Sequence, residues 1–176
     1  MAEDGTLKLC DFGMVKPVDA DLAKREGTEI YMAPEILNKR LGETYRGVPA
    51  DVFSLGVLLW IMQFAKPPFF EASSRDKNYT ILQRNPESFW RLHPTIKRFE
   101  GATVDPDLKD LLTSMLSQDI SKRPESIEAV VSHQFFRKEA DLLDPCNNMW
   151  TDSEALSAAF SARLAELAAQ NSRAED

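Results

Sequence analysis

The spacing of apolar residues predicts a chain built mainly from helices. From Asp51 to about Ala65 apolar side chains occupy every side of a helix (Val52, Phe53, Leu55, Val57, Leu58, Leu59, Trp60). A helix with no polar face is a core helix. Lys66-Pro67-Pro68 ends it. Pro34 suits the first turn of a short helix running through Leu37, because proline there loses no helical hydrogen bond. Residues 76–83 predict a surface helix stopped by Asn85-Pro86, and Ser88-Phe89-Trp90 an aromatic packing element. Asp105-Pro106-Asp107 opens a helix with Leu108, Leu111, Leu112, Met115 and Leu116 on one stripe. Pro124 opens another, with Ile127, Val130 and Val131 inward.

The remaining stretches punctuate these helices. Thr6 to Cys10 alternates like a short strand and stops at the turn Asp11-Phe12-Gly13. Residues 14–33, with Pro17 and Gly27, lack periodicity and read as a long loop, as does the stretch holding Gly42, Gly47 and Pro49. After Asp144-Pro145 the composition shifts. Thr151-Asp152-Ser153-Glu154 has the form of a capping box. It precedes an alanine-rich amphipathic helix over 152–170 with Leu156, Phe160, Leu164 and Leu167 at helical spacing. The chain thus divides into a body, 1–138, and a tail, 139–176.

Composition narrows the functional classes. The 28 acidic and 21 basic residues among 176 give a net charge of -7. This sets nucleic acid and anionic membranes aside as partners. Two cysteines, Cys10 and Cys146, exclude a disulfide scaffold and suit a reducing compartment. The acidic start, Met1 to Gly5, lacks the basic and apolar regions of a signal peptide. The most apolar stretch, Val52 to Met62, is short of the about 20 residues that a bilayer crossing needs. An intracellular, cytoplasmic location is expected.

Asp11-Phe12-Gly13 alone is weak, since an aspartate after a strand also makes an ordinary turn. It is followed by Gly27-Thr28-Glu29-Ile30-Tyr31-Met32-Ala33-Pro34-Glu35, then by Asp51-Val52-Phe53-Ser54-Leu55-Gly56-Val57, then by Lys122-Arg123-Pro124. Four motifs in this order resemble the eukaryotic protein kinase family. The resemblance runs from about Thr6 to Phe136 and covers the metal-binding turn, the activation segment and the helical C-terminal lobe. The stretch 27–35 resembles serine/threonine kinases more than tyrosine kinases. Pro67-Pro68-Phe69-Phe70 and Ser132-His133-Gln134-Phe135-Phe136 are similar to the calcium/calmodulin-dependent branch.

The resemblance implies a helical C-terminal lobe preceded by a short N-terminal β-hairpin over 3–9, with the N-terminal lobe absent. It implies that Asp11 binds the Mg²⁺ that bridges the ATP phosphates. Phe12 would pack against the absent lobe and Gly13 would free the backbone to turn. Thr28 would be a supporting catalytic residue in the substrate-facing loop; a solvated loop threonine is the alternative. Glu35 and Arg123 would form a buried bidentate ion pair, whose breaking costs about 3–5 kcal/mol. Asp51 would cap the core helix and hold the catalytic-loop backbone.

Much of the catalytic set is missing from the sequence. No two of the seven glycines are two apart, so there is no Gly-x-Gly-x-x-Gly loop. The two histidines, His93 and His133, are followed by Pro94 and Gln134, so there is no His-Arg-Asp. No earlier strand carries a phosphate-pairing lysine. Gly42 and Gly47 have P-loop spacing, but Val48-Pro49 stands where Lys-Ser/Thr is needed. Residues 14–26 contain no Ser, Thr or Tyr to phosphorylate; Asp19, Asp21 and Glu26 read as a solvated acidic loop. Met1 falls just after the place of a catalytic loop, so a fragment is expected. His93, beside Phe89 and Trp90, reads as a packing residue, and neither cysteine as a nucleophile.

The expected function is therefore that of a piece of a serine/threonine kinase, inactive alone, whose family reaction uses ATP and Mg²⁺. The alternative is a non-catalytic protein-binding module. Its partner would be a protein substrate or regulator, with the oligomeric state left open.

Overall fold

A computed structural model describes residues 10–98 and 104–137. By contact the chain divides into two units, and the account of packing below concerns the one from Met14 to Phe135. Its architecture is mainly α, with a small two-stranded antiparallel sheet and, among the described residues, no larger sheet. The expected hairpin over 3–9, the tail helix over 152–170 and the tail 139–176 lie outside the described residues.

The sheet pairs β1 (Asp21–Leu22) with β2 (Tyr45–Arg46), in the register Asp21 to Arg46 and Leu22 to Tyr45. A 3₁₀ turn, Glu29–Tyr31, leads into helix α1 (Pro34–Leu37). The loop expected over 14–33 thus contains a strand and a helical turn. Two-residue strands have no alternation to read, because their pairing is settled by a partner more than twenty residues away.

Helix α2 (Gly47–Phe64) is the centre of the unit. It begins four residues before the expected Asp51, taking in Gly47 and Pro49 that read as loop. Pro49 is tolerated because the first-turn N–H groups have no helical acceptor. The helix ends at Ala65, which adopts the left-handed conformation (φ 57°) and donates its N–H to Ile61 O at 2.7 Å. By length and composition α2 is apolar enough to cross a membrane. Here Val52, Phe53, Val57 and Trp60 are fully buried within the unit. The expectation of burial all round is too strong, since Leu58 and Met62, one turn apart, are exposed.

Three short helices follow: α3 (Lys77–Arg84), α4 (Pro86–Leu92) and α5 (Pro94–Arg98). Asp76 caps α3 by accepting from Tyr79 N at 3.0 Å, and Asn85 caps α4 by accepting from Ser88 N at 2.9 Å. Helix α6 (Pro106–Met115) is capped by Asp105, which accepts from Asp107 N at 2.7 Å. Helix α7 (Ile127–Val131) starts after Pro124, with Ser126 as its cap. Only Val130 is buried there; Ile127 and Val131, expected inward, are exposed, because a helix of little over one turn buries one edge.

The core joins these elements through aromatic side chains. Trp60 lies 5.3 Å from Phe89, 5.1 Å from Trp90 and 5.0 Å from His93, centroid to centroid. Trp90 donates to Thr113 Oγ1 at 3.0 Å, tying α4 to α6. Gly56 lets α2 approach α6: a Cβ there would sit 2.9 Å from Met115 Cβ. Such packing, worth about 1.5–3 kcal/mol per large buried side chain, fixes the bundle on which the site is mounted.

Candidate functional site

Glu35 and Arg123 are brought together. Arg123 Nη1 donates to Glu35 Oε1 at 2.7 Å and Nη2 to Oε2 at 2.8 Å, the two parallel bonds of a guanidinium fork. The Arg123 side chain is fully buried and Glu35 nearly so. Two further Arg123 donors are used: Nε reaches Ser117 O at 2.8 Å and Nη1 reaches Pro49 O at 2.8 Å. The guanidinium carbon lies 5.0 Å from the Phe53 ring centroid. One side chain therefore joins α1, the first turn of α2, the loop after α6 and the core.

Asp51 is not the cap of α2. It is the fifth helical residue, so its carboxylate is displaced from the orphan N–H groups of the first turn. It stands instead on the wall of a cavity of about 460 Å³, lined chiefly by residues 20–24 and 26–28, Tyr31, Met32, Tyr45 and Ser54. Among the described residues nothing hydrogen-bonds to this carboxylate, and partial burial raises its pKa above the ordinary 3.8. Burial likewise raises the pKa of Tyr45, helped by the charges of Glu26, Asp51 and Glu35.

The 19–31 stretch, which supplies much of the cavity wall, is held to β2 and α2 by contacts that no motif announced. Arg46 Nη2 is 3.8 Å from Asp19 Oδ1, and Nη1 is 3.6 Å from Asp21 Oδ1. Tyr45 donates its hydroxyl to Lys24 O at 3.0 Å. Ser54 donates to Tyr31 O at 2.8 Å. Asp19 and Asp21 are solvated, as expected, and in addition lie beside Arg46, although such exposed pairs are worth at most about 1 kcal/mol each. The polar Ser54 inside an apolar run was the one available signal. Thr28 is exposed on the cavity rim, ahead of the 3₁₀ turn, and its hydroxyl makes no capping bond.

Asp11, Phe12 and Gly13 belong to the other unit and are described by themselves. The residue in this turn with left-handed backbone is Asp11 (φ 64°). Aspartate visits this region because its short side chain can bond the local backbone. Its Oδ1 accepts weakly from Gly13 N at 3.4 Å. Phe12 is exposed. Mg²⁺ wants about six oxygens in octahedral array. Among the described residues no group of three or more acidic, histidine or cysteine side chains converges, and Asp11 contributes a single carboxylate. These residues by themselves do not fit a metal site.

His93 is buried in the core rather than in the cavity. Its Nε2 hydrogen-bonds Pro68 O at 2.8 Å and its Nδ1 accepts from Thr95 N at 3.2 Å. Burial lowers its pKa from the ordinary 6.5, with Pro68 O and Asp76 opposing. Cys10 is a free, exposed thiol; Cys146 lies outside the described residues.

A fold made of a helical lobe, an anchored loop and a buried Glu–Arg fork defines a class, and comparison with known proteins identifies it. The model of the protein kinase domain matches residues 1–136. The chain is 33% identical over 134 residues to the probable serine/threonine-protein kinase CCRP1 of Zea mays, covering 74% of this chain and 19% of that protein. It is 36% identical over 143 residues to calcium-dependent protein kinase 22 of Oryza sativa subsp. japonica, covering 80% and 22%. It is 31% identical over 137 residues to the SNF-related serine/threonine-protein kinase of Homo sapiens, covering 77% and 16%. The chain belongs to the protein kinase domain family. It is a partial serine/threonine-kinase-like domain that spans about a fifth of the length of the two plant relatives, and its sequence lacks the glycine-rich loop.

Proposed function

We propose that these residues form the activation segment and helical lobe of an intracellular serine/threonine kinase. The reaction is transfer of the γ-phosphoryl group of MgATP to a hydroxyl of a protein substrate. The observation that carries this reading is the buried Glu35–Arg123 fork, which fastens the 28–37 stretch to the bundle. Phosphoryl transfer is catalysed by positioning and electrostatics, so a loop held in one place is the contribution this lobe makes. In a complete kinase Asp11 would supply one carboxylate to the metal, and Thr28, exposed on the cavity rim, would face the substrate. The chain alone has neither phosphate cradle nor general base in its sequence, and we expect neither saturable MgATP binding nor transfer from it.

A chimera tests the reading. Residues 11–136 replace the matching segment of calcium-dependent protein kinase 22, and radiolabelled phosphate transfer to a generic protein substrate is measured. The expected result is transfer by the chimera and none by its Asp11→Ala variant. A folded chimera that binds MgATP yet transfers nothing overturns the assignment. Transfer by the unmodified chain, abolished by Asp11→Ala, overturns the claim that it is incomplete.

The cavity beside Asp51 favours a second reading, a non-catalytic module that binds a protein segment there. Size-exclusion chromatography with a native pull-down separates the two. A clean monomer without a retained partner counts against it.

A further inference from the structure

Charge is spread unevenly over the rest of the surface. The net charge is -7, yet from residue 77 to 98 the cations Lys77, Arg84, Arg91, Lys97 and Arg98 meet a single acid, Glu87. All five cations are exposed. The arginines recur every seventh residue, one per helix: Arg84 closes α3, Arg91 lies in the last turn of α4 and Arg98 in the last turn of α5. Single residues, Asn85 and His93, separate the helices, and α3 packs on α4 and α4 on α5. A seven-residue helix is about 10 Å long, which spaces successive arginines by that order. An extended peptide covers such a step in about three or four residues.

Of the five other arginines in the unit four find acids: Arg25 pairs with Glu29, Arg46 with Asp19 and Asp21, Arg75 with Glu71 and Arg123 with Glu35, while Arg40 forms no ion pair among the described residues. Among the described residues none of the five cations on α3–α5 has an ionic partner. The helix macrodipole favours a cation at a carbonyl end and accounts for one arginine per helix. It does not account for Lys77, which stands at the amino end of α3, where a cation is disfavoured. Nor does it account for the shortage of acids on these three helices.

We propose that the exposed side of α3–α5 binds an acidic polypeptide segment, with Arg84, Arg91 and Arg98 meeting carboxylates and Leu92, 45% exposed, offering one apolar contact. Arginine forks suit carboxylates. Within a Debye length of about 10 Å a short acidic peptide meets mainly this patch, whereas an extended nucleic acid or an anionic bilayer also meets the acidic remainder of the surface. The proposal stands apart from the phosphoryl-transfer reading and does not need it.

The test is fluorescence anisotropy of the full chain with a fluorescein-labelled peptide of repeating Asp-Glu-Leu. The expected result is saturable binding that weakens as salt rises from about 50 to about 200 mM. Binding should fall on the order of tenfold or more in Arg84→Gln/Arg91→Gln/Arg98→Gln, with an unchanged thermal melt, and fall less in the three-lysine counterpart, which keeps the charge but not the fork. Should the triple variant fail to fold, each single glutamine variant should show a partial loss. No binding by the unaltered chain, equal binding by folded glutamine variants, or tighter binding to phosphatidylserine vesicles or duplex DNA overturns the proposal.

Discussion

Arg123 and His93 show how one buried polar side chain can organise its surroundings. Glu35→Gln keeps the shape of the carboxylate but removes its charge, leaving the guanidinium buried without a counter-ion. The expected loss is about 3–5 kcal/mol of folding stability, read from urea denaturation. Replacing both partners by apolar residues of similar volume should cost less than either single change. His93 makes stability depend on pH. In the folded chain Nδ1 must be bare to accept from Thr95, so protonation breaks that bond. Its folded pKa lies below the ordinary 6.5, so the unfolded chain binds the proton first. The His93 contribution is therefore complete above that value and is lost as pH falls below it. His93→Gln should flatten the acid limb of stability below about pH 6.5, measured by denaturation at several pH values.

At the scale of elements, two positions on α2 make opposite predictions. Gly56→Ala places a methyl 2.9 Å from Met115 Cβ and 3.2 Å from Leu116 Cδ2, so α2 and α6 must part. A loss of about 1–3 kcal/mol is expected in thermal or urea unfolding. Ala65→Gly relieves a left-handed alanine, worth about 1–2 kcal/mol, against about 0.4–1 kcal/mol from the freer unfolded chain. The net gain of about 0.5–1 kcal/mol should raise the melting temperature. Helix starts were legible where a proline or capping acid marked them, as at Pro34, Asp76 and Asp105. The start of α2 was not, because Gly47 and Pro49 are turn residues by local preference and only tertiary packing makes them helical. Strands β1 and β2 were invisible for the same reason: two residues carry no period.

For the molecule as a whole, the family resemblance named Glu35 and Arg123, and no local pattern could have paired residues so far apart. The ties of Arg46, Tyr45 and Ser54 to the 19–31 stretch were not legible, since most of their acceptors are backbone oxygens whose place depends on the finished fold. The Glu35–Arg123 fork closes a loop of 88 residues, and that has a kinetic side. Closing so long a loop is entropically costly, so the contact should form after the helices have docked, on the native side of the folding barrier. Stopped-flow chevrons of Glu35→Gln should then show a faster unfolding limb and a nearly unchanged refolding limb. The fork would act as a latch on the finished lobe, setting how long it stays folded more than how quickly it gets there.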